Sequence, residues 1–168
     1  MGLIGCDAST EVLIDPTATT VSPTIDKSLG ISSKNEAEVT ETAQIAEDGA
    51  QVEKGRRYST KEEVAAYINM FHQLPPNYIT KREAEKEGWD SSKGNLWEVT
   101  DKMSIGGDVF GNREGDLPKK QGRKYYECDI NYKGGYRGSE RIVYSNDGLV
   151  FCTVDHYKTF EQLYGEGD

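Results

Sequence analysis

The sequence predicts an α+β domain with helices packed on one face of an antiparallel sheet. Capped segments of helical period are confined to residues 60–99. Short alternating segments with glycine turns follow Gly106-Gly107. Helices first and a strand meander second is the order of an α+β domain.

The chain has 168 residues, room for one ordinary domain and a tail. Hydrophobic residues make up 35% and mean hydropathy is −0.72, low for a chain packed throughout. Residues 7–57 are rich in Thr, Ser, Glu, Ala, Asp and Pro, with no aromatic residue and no sustained period. They are expected to form a flexible acidic linker, with the folded domain spanning 58–168. Ahead of them, Leu3-Ile4-Gly5-Cys6 resembles the lipobox of bacterial lipoproteins. Only five residues precede Cys6, whereas a charged segment and an apolar segment should. Either Cys6 is a lipidation site behind a longer signal, or the match is chance. No apolar run reaches membrane-spanning length.

Composition changes at Tyr58. Thr60 is placed to cap a helix, with Glu63 completing a capping box. Val64, Tyr67, Ile68 and Phe71 then share one face, and Leu74-Pro75-Pro76 ends the helix. His72 falls in its last turn, where an imidazolium faces the negative end of the helix dipole. Thr80 opens a second helix over Lys81 to Glu87, closed by Gly88. A third, weaker one runs from Ser92 to Val99. Tyr125 to Tyr132, Glu140 to Ser145 and Leu149 to Val154 read as strands, with turns at Lys133-Gly134-Gly135 and Asn146-Asp147-Gly148.

Strand alternation puts Tyr126, Cys128 and Ile130 on the core face and Tyr125, Glu127 and Asp129 on the open one. His156 follows the last of these strands, and a meander brings that strand end back across the same face. A carboxylate and an imidazole on either side of a phosphodiester suit transfer of its phosphoryl group. One removes the 2′-hydroxyl proton and the other protonates the leaving 5′-oxygen. Lys81, Arg137 and Arg141 are cations suited to the charge that builds on the phosphate. Spacing alone equally allows Glu127 to be a plain ion-pair partner and both arginines to be solvated charges.

A second group lies in Asp108-Val109-Phe110-Gly111-Asn112-Arg113-Glu114-Gly115. Glu114 can accept from the N1 and N2 protons of guanine, and backbone amides near Asn112 and Arg113 can donate to O6. An adenine edge does not satisfy that order, and single-stranded RNA is read in this way. A surface turn with an ion pair is the plain alternative.

Charge argues against generic nucleic-acid binding. Net charge is −9, with ten acidic and five basic residues in 1–57 and nineteen acidic and fifteen basic in 58–168. Phosphates are repelled at long range, so basic residues must gather in one cleft. Cys6, Cys128 and Cys152 form no CxxC pair or Cys/His cluster, so no metal or other cofactor is expected. In meander order another strand separates Cys128 from Cys152, too far for a disulfide.

From about Tyr58 to Tyr164 the chain resembles the barnase-type microbial guanyl ribonucleases. The matching strings are Leu74-Pro75, Asn77-Tyr78-Ile79-Thr80-Lys81, Gly88-Trp89, Ser92-Lys93-Gly94-Asn95-Leu96 and Ser104-Ile105-Gly106-Gly107-Asp108, followed by Asn112-Arg113-Glu114-Gly115, Asp129-Ile130-Asn131-Tyr132 and Asp155-His156-Tyr157. The resemblance implies helices on a five-stranded antiparallel sheet. It implies metal-free cleavage of single-stranded RNA after guanosine through a 2′,3′-cyclic phosphate. Glu127 then matches the general base, His156 the general acid, and Lys81, Arg137 and Arg141 the phosphate-binding positions. Glu114 with the backbone around it, from Phe110 through Asn112 and Arg113, matches the guanine reader, and Tyr157 an aromatic near base and sugar. Such proteins are exported monomers, and their producers keep an acidic barstar-like inhibitor. Location is therefore expected to be secreted or cell-surface, with a membrane tether if Cys6 is lipidated. Two departures bear on affinity: Asp116 stands where the family carries a lysine, and Gly111 where it carries a serine.

Two other classes remain beside the enzyme: a catalytically weak RNA- or inhibitor-binding module of the same fold, and a toxin effector domain. The first is disfavoured by the presence of Glu127 and His156. The second needs a delivery module, and residues 1–57 read as linker.

Overall fold

The computed structural model describes residues 44–45 and 50–166. Helix α1 (Lys61–Phe71) and two short helices, α2 (Lys81–Lys86) and α3 (Leu96–Val99), lie ahead of most of the sheet in sequence. The strands are β1 (Gln44–Ile45), β2 (Gln51–Val52), β3 (Tyr78–Ile79), β4 (Ser104–Phe110), β5 (Tyr125–Asp129), β6 (Arg141–Ser145), β7 (Val150–Thr153) and β8 (Glu161–Tyr164). β1 and β2 pair as a separate ribbon.

The main sheet has six strands in the order β3-β4-β5-β6-β7-β8. β4 to β8 form the expected five-stranded antiparallel meander. The sixth, β3, is two residues long and pairs parallel to β4, so the sheet is mixed. Its two residues sit between Asn77 and the cap of α2, and Ser104 N donates to Asn77 O to begin the pairing.

Alternation sends Cys128, Ile130, Ile142, Val150 and Cys152 to one face, where α1 covers them with Val64, Ala65 and Ile68. Cys128 and Cys152 are free and buried, with Ile142 of β6 registered between them. The other face is not open as alternation suggested. Tyr125, Val143 and Phe151 pack there with Leu117 and Leu149, under Phe110, Tyr157 and Phe160. The chain after β4 and after β7 folds back over that face, so Glu127 is 8% exposed and Asp129 is 2% exposed. A third cluster joins α2, α3 and β4 through Ala84, Trp89, Leu96, Ile105 and Tyr132.

The helix starts behave as their capping residues require. Thr80 and Glu83 form a reciprocal capping box. At Thr60 only half of one forms: the hydroxyl accepts from Glu63 N and donates to the Glu63 carboxylate. His72 caps the C-terminus of α1 in a left-handed conformation and is exposed. The strands expected at Tyr125 to Tyr132, Glu140 to Ser145 and Leu149 to Val154 end at Asp129, start at Arg141, and span Val150–Thr153 respectively. Gly106 is required by close approach: a Cβ there would lie 2.6 Å from that of Cys128 and 2.7 Å from the Tyr78 ring.

The linker expected up to residue 57 ends earlier. Val52 is fully buried against Ala66 and Tyr67 of α1, and the turn after it is held by Tyr hydroxyls. Glu53 N donates to Tyr58 and Gly55 N to Tyr67. Apart from Gln44–Ile45 and residues 50–57, that linker and Cys6 lie outside the described residues. Val52→Ala should destabilise the domain by about 1–2 kcal/mol, the cost of removing two buried methyl groups. Urea unfolding of the purified chain measures this, and an unchanged midpoint would show that the ribbon adds nothing.

Candidate active site

β5 holds two carboxylates on one face, Glu127 at its centre and Asp129 at its end, and each meets cations brought by other elements. Asp129 receives Arg137 as a bidentate pair, with Nε and Nη2 donating over 2.7 Å each. Arg141 of β6, registered opposite Asp129, brings its Nε to 2.9 Å off the hydrogen-bond axis. Arg141 Nη1 donates to the carbonyls of Gly138 and Glu140. One buried carboxylate therefore holds two guanidiniums and fixes the loop between β5 and β6. Removing one partner of a buried pair typically costs about 3–5 kcal/mol, because the other charge is left uncompensated.

Glu127 receives Lys81 Nζ at 2.6 Å on one oxygen and the Tyr157 hydroxyl at 2.5 Å on the other. Local structure aims Lys81. It is the first residue of α2, and its backbone N–H donates to Asp108. Asp108 on β4 is in register with Glu127 on β5, so the helix start is pinned beside the carboxylate. Burial pushes the Glu127 carboxyl up. Hydrogen bonds from Lys81 and Tyr157, with the charges of Lys81 and Arg137, outweigh burial and hold the group below its ordinary value. Burial, then the adjacent carboxylate, raises the Tyr157 hydroxyl, which stays protonated and donates.

His156 and Tyr157 both have positive φ, in a tight turn after β7. Asp155 builds that turn by accepting from Thr153, from the backbone of Lys158 and Thr159, and from the Thr159 hydroxyl. Hydrogen bonds to Thr159, then to Thr153 and Lys158, lower the Asp155 carboxyl to about 2. The His156 ring is exposed and lies 5.0 Å from the Tyr157 ring. It has no hydrogen bond among the described residues. With Arg137 and Arg141 it lines a cleft of about 270 Å³ whose other wall is Trp89, Ser91 and Gly94. Tyr157 thus connects the His156 turn to Glu127.

The second predicted group lies at the end of β4. Phe110 stacks on Tyr157 with ring centroids 5.3 Å apart, which ties this loop to the first group. Asn112 has positive φ, and its side chain bridges both backbone groups of Leu117, closing the loop over a buried anchor. Arg113 and Glu114 are exposed, and Glu114 makes no hydrogen bond or ion pair among the described residues.

Lys81, Glu127, Tyr157 and Phe110 are joined by direct contacts, and Arg137, Arg141 and His156 line one cleft, whereas His72 lies apart at the end of α1. The two arginines and Lys81 are all paired with carboxylates of β5. Asp129 was the functional residue that sequence reasoning placed on the face without a role. Its signal was present: two arginines on neighbouring elements and a second acid two residues from Glu127. Asp108 and Asp155 carried no such signal, since Asp108 accepts from a backbone amide and Asp155 from backbone amides and threonine hydroxyls.

Lys81→Ala should raise the Glu127 pKa, since burial is then opposed only by Tyr157 and Arg137. The sign for stability follows. A lowered native carboxyl stabilises the fold above the ordinary carboxylate pKa, and that stabilisation is lost as pH falls through the native value. The variant should show a smaller acid-side loss. NMR titration of the Glu127 carboxyl checks this, and an unmoved midpoint would refute the charge balance described here.

The family model described as ribonuclease matches residues 61–164. A ribonuclease of Heyndrickxia coagulans is 52% identical over 105 residues, covering 62% of this chain and 96% of its own. A ribonuclease of Bacillus intermedius is 52% identical over 105 residues, covering 62% of this chain and 65% of its own. The guanyl-specific ribonuclease St of Saccharopolyspora erythraea is 42% identical over 55 residues, covering 32% of this chain and 54% of its own. With the α+β fold and a family match over most of the folded residues, the chain belongs to the microbial ribonuclease family and is an RNA-cleaving enzyme.

Proposed function

We propose that the protein is a guanyl-preferring endoribonuclease that cleaves single-stranded RNA by transphosphorylation without a metal. The observation that carries this reading is the ionised Glu127 carboxylate among cations, with an unengaged imidazole on the adjoining cleft. Glu127 takes the proton of the 2′-hydroxyl. The 2′-oxygen attacks phosphorus, the bond to the 5′-oxygen breaks, and His156 in its protonated form gives that oxygen a proton. The products are a 2′,3′-cyclic phosphate and a free 5′-hydroxyl. Lys81, Arg137 and Arg141 stabilise the charge on the phosphoryl oxygens, already held in place by Glu127 and Asp129.

Guanine preference rests on the loop from Phe110 to Glu114. The uncommitted Glu114 carboxylate accepts from N1 and N2, and amides near Asn112 and Arg113 donate to O6. Phe110 and Tyr157 supply an apolar wall beside base and sugar. The sequence favours an exported or cell-surface monomer that meets RNA outside the producing cell, tethered through Cys6 where that cysteine is lipidated. A small acidic inhibitor of the barstar type is the matching protein partner, since acidic groups complement the same cations.

GpU in EDTA should yield guanosine 2′,3′-cyclic phosphate. A Glu127→Ala, His156→Ala double variant should lose at least about 10³-fold in rate, from removal of both proton-transfer groups. Cleavage of GpU at full rate by that variant would remove Glu127 and His156 from the mechanism. For the tether, mass spectrometry of the native N-terminus should find acyl chains on Cys6, and an unmodified thiol there would exclude it.

A further inference from the structure

A second cleft, of about 440 Å³, has Phe110, Gly111 and Asn112 in its wall and shares no lining residue with the His156 cleft. Lys119, Lys120, Arg123 and Lys124 line it together with Val109 and Phe110. Four basic residues within six positions stand out in a chain of net charge −9. Among the described residues no carboxylate lines this cleft.

The segment is rigidly held. Arg123 is the internal strut: it pairs with Asp147 at 2.9 Å and donates to Pro118 O. Its own N–H closes a turn onto Lys120 O. Lys124 is fixed by its backbone to Asn146, which receives its N–H and donates back to its carbonyl. That leaves the Lys119 and Lys124 side chains exposed, with no ion pair among the described residues. The Lys119 ammonium folds over Gly115, where a Cβ would lie 2.9 Å from Nζ. Gly115 has φ 81° and ends the 110–114 loop on the side of this cleft's lysines. Val109, 71% exposed, adds an apolar surface beside the two ammonium groups. Mobile cations along a groove with apolar surface between them are the composition that tracks a single nucleic-acid strand. Glu114 and Asp116 lie on the far part of the loop and are not in its lining.

We infer that this cleft is a second substrate subsite, which binds the ribose-phosphate strand on the 5′ side of the cleaved guanosine. The inference rests on the proposed reading of guanosine by the 110–114 loop. The scissile phosphate is on the 3′ side of that guanosine, at Glu127 and His156. The strand that reaches across the loop, away from that phosphate, is therefore the upstream one. Lys119 and Lys124 supply the phosphate contacts that the acidic remainder of the surface does not.

The test compares GpU with the pentanucleotide ApApApGpU for the wild-type chain and for a Lys119→Glu, Lys124→Glu variant. Wild type should show a higher kcat/KM on the longer substrate. The variant should lose roughly tenfold of that advantage while cleaving GpU at the wild-type rate. Anisotropy binding of a 2′-deoxyguanosine version should show a salt slope smaller by about 0.7 per lysine removed. A Lys119→Gln, Lys124→Gln variant should give the same direction if charge reversal disturbs the fold. An undiminished length advantage in the variant overturns the inference and leaves the lysines to an acidic protein partner. An equal loss on GpU also overturns it. Failure of wild type to cleave GpU would instead refute the catalytic proposal, and the binding arm would still decide the cleft.

Discussion

The Asp129 carboxylate is the constraint on which the rest of the site depends. It is 2% exposed and faces two guanidiniums, one from β6 and one from the loop that follows β5. A carboxylate buried there is tolerated only because both arginines reach it, and both arginines are tolerated in a half-buried wall only because it is there. That mutual requirement fixes the loop from Ile130 to Glu140, whose residues Gly135 to Gly138 form one wall of the His156 cleft.

Charge at the site bears on the puzzle of an acidic ribonuclease. Three cations, Lys81, Arg137 and Arg141, face two carboxylates, Glu127 and Asp129. With Asp108 at the Lys81 amide the centre is close to charge balance, although the chain carries −9. Ion pairing serves two ends at once. It lowers Glu127 so that the carboxylate is ionised, and it fixes the three cations in the positions that the proposed mechanism gives to the phosphate clamp. Long-range attraction of phosphates is weak in such a chain, so any charge attraction has to be local.

Much of this arrangement is visible in the residues. Thr60, Thr80, Gly88 and the alternation through Tyr125–Asp129 placed the helices and the meander, because capping and period are local physics. The separation of Cys128 from Cys152 by one strand also followed from meander order. Three features did not follow. The second core on the Glu127 face is built by Leu117, Phe110, Tyr157 and Phe160, which come from loops without a period. The β3 strand is two residues long and exists through its partner rather than its own propensity. Val52 sits in a stretch of linker-like composition, and only the α1 surface makes it a core residue.

By itself the sequence determined the α+β class, the order of elements and the residue types available for acid–base chemistry, because these depend on period, capping and motif strings within short windows. The tertiary structure alone decided that Asp129 organises both arginines, that Lys81 and Tyr157 share Glu127, and that the face thought open is nearly closed. Those outcomes join residues far apart in the chain, Lys81 and Glu127 by 46 positions, and pairing at that range is set by register and burial rather than by any local pattern.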